Sequence, residues 1–86
     1  MQPTADIISL LRNQSGEFPN REQLVANYVS ENLEAVTTIA LSDLANNVGV
    51  SEPTVIRFCR TLGCDGFRDF KMRLAQNLAV SMQYLT

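Results

Sequence analysis

LSDLANNVGVSEPTVIRFCRTLG, residues 41–63, is the stretch on which the reading of this chain turns. Leu44, Ala45 and Val48 share one helical face, and Ser42 is the expected N-cap of that helix. Gly49 follows where the chain must leave the helix, in a left-handed conformation that residues with a Cβ avoid. Ser51 caps a second helix, and Pro53 is tolerated in its first turn because a missing N–H there has no intrahelical partner to lose. That helix is expected over Glu52–Leu62, ending at Gly63. Val55, Phe58, Cys59 and Leu62 stand at i, i+3, i+4 and i+7, so their stripe faces a core. The opposite face is then Pro53, Thr54, Arg57, Arg60 and Thr61. Helix, three-residue turn and longer helix have the proportions of a helix-turn-helix, with small Ala45 allowing close approach and Val50 and Val55 filling the space between.

Working outward, Ile7, Ile8, Leu10 and Leu11 predict a short helix over Ala5–Arg12, behind Pro3 and a Thr4 N-cap. NQSGEFPN then breaks the pattern. Asn20 and Gln23 make a capping-box-like start to a helix over Arg21–Leu33, carrying Leu24, Val25, Tyr28, Val29 and Leu33. Thr37, Thr38 and Ile39 have no strand partner in view and read as a connector. A last helix begins near Gly66, with Phe67, Phe70, Leu74, Ala75, Leu78 and Met82 along one side. The expectation is an all-α fold, a compact bundle of about five helices in one domain over residues 1–86, with the helix-turn-helix at about 41–62.

Composition removes whole classes of chemistry. The 86 residues are 45% hydrophobic and 19% charged, enough for one folded domain. They contain no histidine, which excludes Ser-His-Asp and Cys-His nucleophile systems and Cys/His zinc sites. Cys59 and Cys64, five apart, match neither a CxxC redox pair nor a metal knuckle and read as reduced thiols, Cys64 the more exposed of the two. Walker, GxGxxG and EF-hand motifs are absent, as are a signal-peptide pattern and any apolar run near the ~18 residues of a membrane span. The expectation is a cytoplasmic, non-enzymatic protein without cofactor or metal.

A formal charge of -2 argues against a nucleic-acid partner only as a chain average. Residues 1–50 hold two arginines against six acids, a net of -4. Residues 51–86 hold Arg57, Arg60, Arg68, Lys71 and Arg73 against Glu52, Asp65 and Asp69, a net of +2. The basic charge sits on the second helix of the motif and on the helix after it. Ser51 and Thr54 at a helix N-terminus add donors suited to phosphate. In this reading Arg57 bonds a base edge, Thr54 and Pro53 touch a thymine methyl or the sugar-phosphate wall, and Glu52 meets a cytosine amine or serves the helix dipole. Ser51 serves as cap or phosphate contact, while Arg60, Arg68 and Lys71 contact phosphates. The competing reading is a helical protein-interaction module without DNA binding.

The run LSDLANNVGVSEPTVIRFCRTLGCDGFRDFKMRLAQNLA, above all VSEPTVIRFCR and GFRDFK, resembles the N-terminal domain of the RpiR family of bacterial transcription regulators, and within it the HexR-like regulators of hexose catabolism. The resemblance implies an all-helical DNA-binding module acting on a double-stranded operator. It further implies a homodimer on a pseudo-palindrome and, beyond Thr86, a sugar isomerase-like (SIS) domain that senses sugar phosphates. The family often has a proline after the second helix, where this chain reads ENLEAVTTI.

Overall fold

Six helices follow one another in the computed structural model, which describes residues 7–14 and 16–85, with side chains as far as Ala79. They are α1 (Ile7–Asn13), α2 (Asn20–Glu31), α3 (Leu33–Val36), α4 (Leu41–Val48), α5 (Glu52–Thr61) and α6 (Phe67–Leu85). The all-α bundle is as expected, with one short helix, α3, beyond the five. The expected start of the first helix at Ala5, with Pro3 and Thr4, lies outside the described residues, as does the Met82 side chain.

α5 is the central element: α2 and α4 both pack on it, and α6 turns back against α1, α3 and α5. Its inward stripe, Val55, Phe58, Cys59 and Leu62, is buried as the spacing requires. Phe58 lies between Phe18, with ring centroids 5.4 Å apart, and Phe70, 5.6 Å away and edge-on. Such tilted and T-shaped contacts suit the ring quadrupoles. Ile7, Leu11, Val25, Val29, Val36, Leu44 and Leu74 close the core around these rings.

Several local expectations are corrected. Asn20 is not the cap of α2: the Pro19 carbonyl already accepts the Gln23 N–H at 2.8 Å, so the helix opens one residue earlier and no capping box forms. Gln23 instead accepts from the Gly16 N–H and donates to Asn27. Ser42 likewise lies inside α4, because the Ala40 carbonyl takes the Leu44 N–H at 2.9 Å. α2 stops at Glu31 rather than Leu33. Asn32 leaves the helical region and its side-chain amide donates to the Tyr28 carbonyl at 2.9 Å, a local bond that competes with the helix ladder. Ala75 is exposed, since α6 turns Leu74, Asn77 and Leu78 toward its neighbours and Ala75 falls a step outside that arc. Asn77 accepts the Ile7 N–H at 2.6 Å, joining α6 to the first turn of α1.

Candidate nucleic-acid interface

The turn between α4 and α5 is three residues, Gly49 to Ser51. Gly49 has φ 91°, and the amides of Gly49 and Val50 both donate to the Ala45 carbonyl, at 2.8 and 3.0 Å. A left-handed residue at this point satisfies the end of α4 and reverses the chain within one turn. Buried Ala45 leaves room for α5 to approach, and the Asn47 amide donates to the Tyr28 hydroxyl at 3.2 Å, fixing the end of α4 against α2.

α5 begins as its sequence demands. Ser51 is extended, with φ -81° and ψ 160°, and its Oγ accepts the Thr54 N–H at 3.4 Å, ahead of Pro53 in the first turn. The Ser51 and Thr54 hydroxyls are 3.0 Å apart. Thr54 is buried, so it does not belong to the outward face where the helical pattern put it; its hydroxyl turns back to the cap. The outward face consists of Ser51, Glu52, Pro53, Arg57, Arg60 and Thr61, all exposed. The Arg57 guanidinium makes no hydrogen bond or ion pair with another described residue, while Arg60 Nε donates to the Asp65 carbonyl at 3.4 Å.

The corner into α6 is built by Gly63, φ 90°, with the Cys64 N–H donating to the Cys59 carbonyl at 3.0 Å. Beyond it Arg68 is exposed in a shallow groove with Asp65, Phe67 and Met72. Asp69 accepts the Asp65 N–H at 3.0 Å and pairs with Arg73 at 3.2 Å. The Asp65 N–H chiefly, with Arg73 adding, holds the Asp69 carboxyl below its usual value. Arg73 is therefore neutralised locally, and among the described residues of α5 and α6 the cations left facing outward are Arg57, Arg60 and Arg68. Lys71 points elsewhere: Nζ donates to the Ile39 carbonyl at 2.8 Å and stands 4.9 Å from the centre of the Phe67 ring.

Sequence reasoning missed a contact beneath this face. Glu22 of α2 is buried and accepts from the Thr61 hydroxyl at 2.9 Å, tying the far end of α5 to α2. Nothing in the spacing of Glu22, which reads as an ordinary first-turn acid, announces it.

A family profile described as the helix-turn-helix domain of the rpiR family matches residues 5–81. This chain belongs to that family. The rpiR-type domain is 33% identical over 81 residues to the HTH-type transcriptional regulator HexR of Pseudomonas aeruginosa, covering 94% of this chain and 28% of that protein. Its fold matches the N-terminal domain of the ybbH protein of Bacillus subtilis with a TM-score of 0.81 and 27% identity, over 85% of this chain and 89% of that one. It also matches the NanR protein of Vibrio vulnificus, solved in complex with ManNAc-6P, with a TM-score of 0.83 and 35% identity, over 92% of this chain and 30% of that one. The chain spans about a quarter of the length of HexR and of another HTH-type regulator it matches, and about a tenth of the matching bifunctional glk proteins.

Both cysteines of the rpiR-type domain are free and buried; Cys64 is the more exposed of the two, as expected, but only at 4% against 0% for Cys59. Cys64 follows Gly63 back under the end of α5, where its N–H bonds to Cys59. Burial pushes the Cys59 thiol up to about 12, with the neighbouring Cys64 adding, and burial raises Cys64 as well. Neutral buried thiols are inert. No group of three or more potential ligands for a metal occurs among the described residues, and no described helix is long and apolar enough to cross a membrane.

Proposed function

We propose that this domain is the sequence-specific DNA-binding part of a cytoplasmic transcription regulator, with α5 in the major groove. The observation that carries the reading is the outward face of α5: Arg57 is exposed and, among the described residues, uncommitted, less than two turns from the Ser51 N-cap, on a helix held from behind by α2 and α4. A helix presented this way reads base edges from its first turns, and Arg57, the sixth of its ten residues, stands at the end of them. Arg57 bonds guanine O6 and N7, while Pro53, Glu52 and, through the cap it forms with Thr54, Ser51 line the groove entrance. Arg60 and Arg68 take phosphates and supply affinity rather than sequence choice. Lys71 was expected beside them, but its ammonium already serves a backbone carbonyl.

Two such domains on half-sites one helical turn apart form the expected dimer on a pseudo-palindromic operator. Relatedness to HexR, and the sugar phosphate held by NanR, favour genes of sugar catabolism and a sugar-phosphate effector bound by a further domain of the whole protein, such as the SIS domain. No step of this reading needs a cofactor or catalytic group.

The test is a titration of duplex DNA by fluorescence anisotropy across a range of salt. Two cationic phosphate contacts per domain give a slope of log K against log salt of about -2, or about -4 for a pair of domains. Absence of binding at the highest protein concentration, together with capture of a protein partner, would establish the interaction-module reading instead.

A further inference from the structure

Lys71 is the only lysine in the sequence, and its side chain turns away from the outward face of α5 to the other end of the motif. It reaches from the first turns of α6, across 32 residues of chain, to the carbonyl of Ile39 at 2.8 Å. Its ammonium stands 4.9 Å from the centre of the Phe67 ring, which stacks at 6.5 Å on Phe70, itself edge-on to Phe58 of α5. The base of this arm is therefore set in the aromatic core that carries α5. Its tip lies one residue before Ala40, whose carbonyl accepts the first hydrogen bond of α4. The hydroxyls of Thr37 and Thr38 turn back to the Glu34 and Ala35 carbonyls, so they hold the connector to α3 and not to α6.

From this geometry we infer that Lys71 is a positioning residue for DNA binding: it tethers the connector between α3 and α4 to α6 and so sets the first turn of α4, the helix that precedes the recognition helix. A hydrogen bond from a charged donor, over a ring that also attracts the cation, resists opening more than a neutral contact does. In a helix-turn-helix the first helix crosses the DNA backbone, so an error in its start displaces the whole motif against the phosphates. The inference rests on the DNA-binding reading for its consequence, but the tether can be judged without DNA.

The DNA-free experiment uses the chain labelled with 15N. With a single lysine, the Nζ signal is unambiguous, and its protons are expected to exchange slowly in the unaltered protein. Lys71→Met keeps most of the stem over Phe67 and removes the ammonium. Losing one hydrogen bond to a charged group is expected to speed amide exchange at Leu44, in the first turn of α4, about tenfold or more, with the amides of α5 unchanged. Fast Nζ exchange in the unaltered chain, or unchanged Leu44 exchange in the variant, overturns the tether, and the first measurement stands even if the variant does not fold.

The DNA experiment compares the unaltered chain, Lys71→Met and Lys71→Arg on a selected duplex, at a temperature where all are folded. The expected result is a roughly tenfold weaker Kd for the methionine variant, restoration by arginine, and an unchanged salt slope. A slope smaller by about 0.9 would make Lys71 a phosphate contact, and an unchanged Kd would make the tether purely local; either overturns the positioning role. If the unaltered chain binds no DNA, the functional reading fails while the exchange measurements still decide the tether.

Discussion

Replacing Arg57 by alanine separates function from folding, because the side chain contributes so little to the fold. It is exposed, its guanidinium makes no bond to another described residue, and beyond the helix ladder only its backbone carbonyl has a contact, 2.9 Å from the Thr61 hydroxyl, whose single proton is shared between this carbonyl and Glu22. Alanine keeps that carbonyl and favours the helix, so stability should change by no more than about 0.5 kcal/mol. On DNA the loss is a bidentate contact to guanine worth about 1–3 kcal/mol of discrimination, which is a factor of about 5–150 between the preferred duplex and one with that base pair changed. The assay is competitive anisotropy with the two duplexes, paired with urea unfolding of both proteins. We expect the preference to collapse while the unfolding midpoint stays in place. Full preference retained in Arg57→Ala would refute the assignment of base reading to this residue, and a large fall in stability would refute the claim that it is uncommitted.

Gly49→Ala meets no atom within 4 Å, so its cost is that of a left-handed backbone, about 1–2 kcal/mol, read as a lower thermal midpoint. An unchanged midpoint would contradict the strained turn. Thr61→Val takes away the hydroxyl that serves buried Glu22 and should cost about 1–3 kcal/mol in urea unfolding, less in a Glu22→Gln background, where the carboxylate charge is already gone. Additive losses would show that the two side chains do not interact. The thiols give a pH dependence of definite sign. Cys59 rises from 9.0 to about 12 in the fold, so above pH 9.0 the unfolded chain sheds its proton first, and stability falls as pH climbs from there toward about 12. A thiol reagent in mildly alkaline buffer should then react only as fast as the chain opens, and rapid reaction of the folded protein would contradict the burial of both cysteines.

The parts of this molecule that were legible in its sequence are those where one residue type answers one local demand. Gly49 at the left-handed turn, Ser51 at the cap and the Val55–Phe58–Cys59–Leu62 stripe all stand as their spacing indicates. Misreadings arose where a backbone group supplied what a side chain was expected to supply. The Pro19 and Ala40 carbonyls open α2 and α4, leaving Asn20 and Ser42 without a capping task. Thr54 turns inward because its hydroxyl meets the very cap that starts the helix, an effect that a face count at 100° per residue cannot include. The remaining misses are long-range. Glu22 with Thr61 and Lys71 with Ile39 are separated by 39 and 32 residues, and each charged side chain is of a type that ordinarily lies in solvent. For the candidate site, charge position within the chain was the useful signal, since the net value of -2 concealed a net positive charge over residues 51–86. It pointed to Arg57, Arg60, Arg68 and Lys71 alike, but not to which of these basic groups the fold would keep for itself.

The claim that the outward face of α5 is the DNA-binding surface is tested most directly by titrating the 15N-labelled chain with a duplex and following its amide signals. The account predicts shifts concentrated in residues 51–61 and around Arg68, with α1 and the second half of α6 little changed. Shifts confined to α1 and α6, or none at any ratio of DNA to protein, would contradict it.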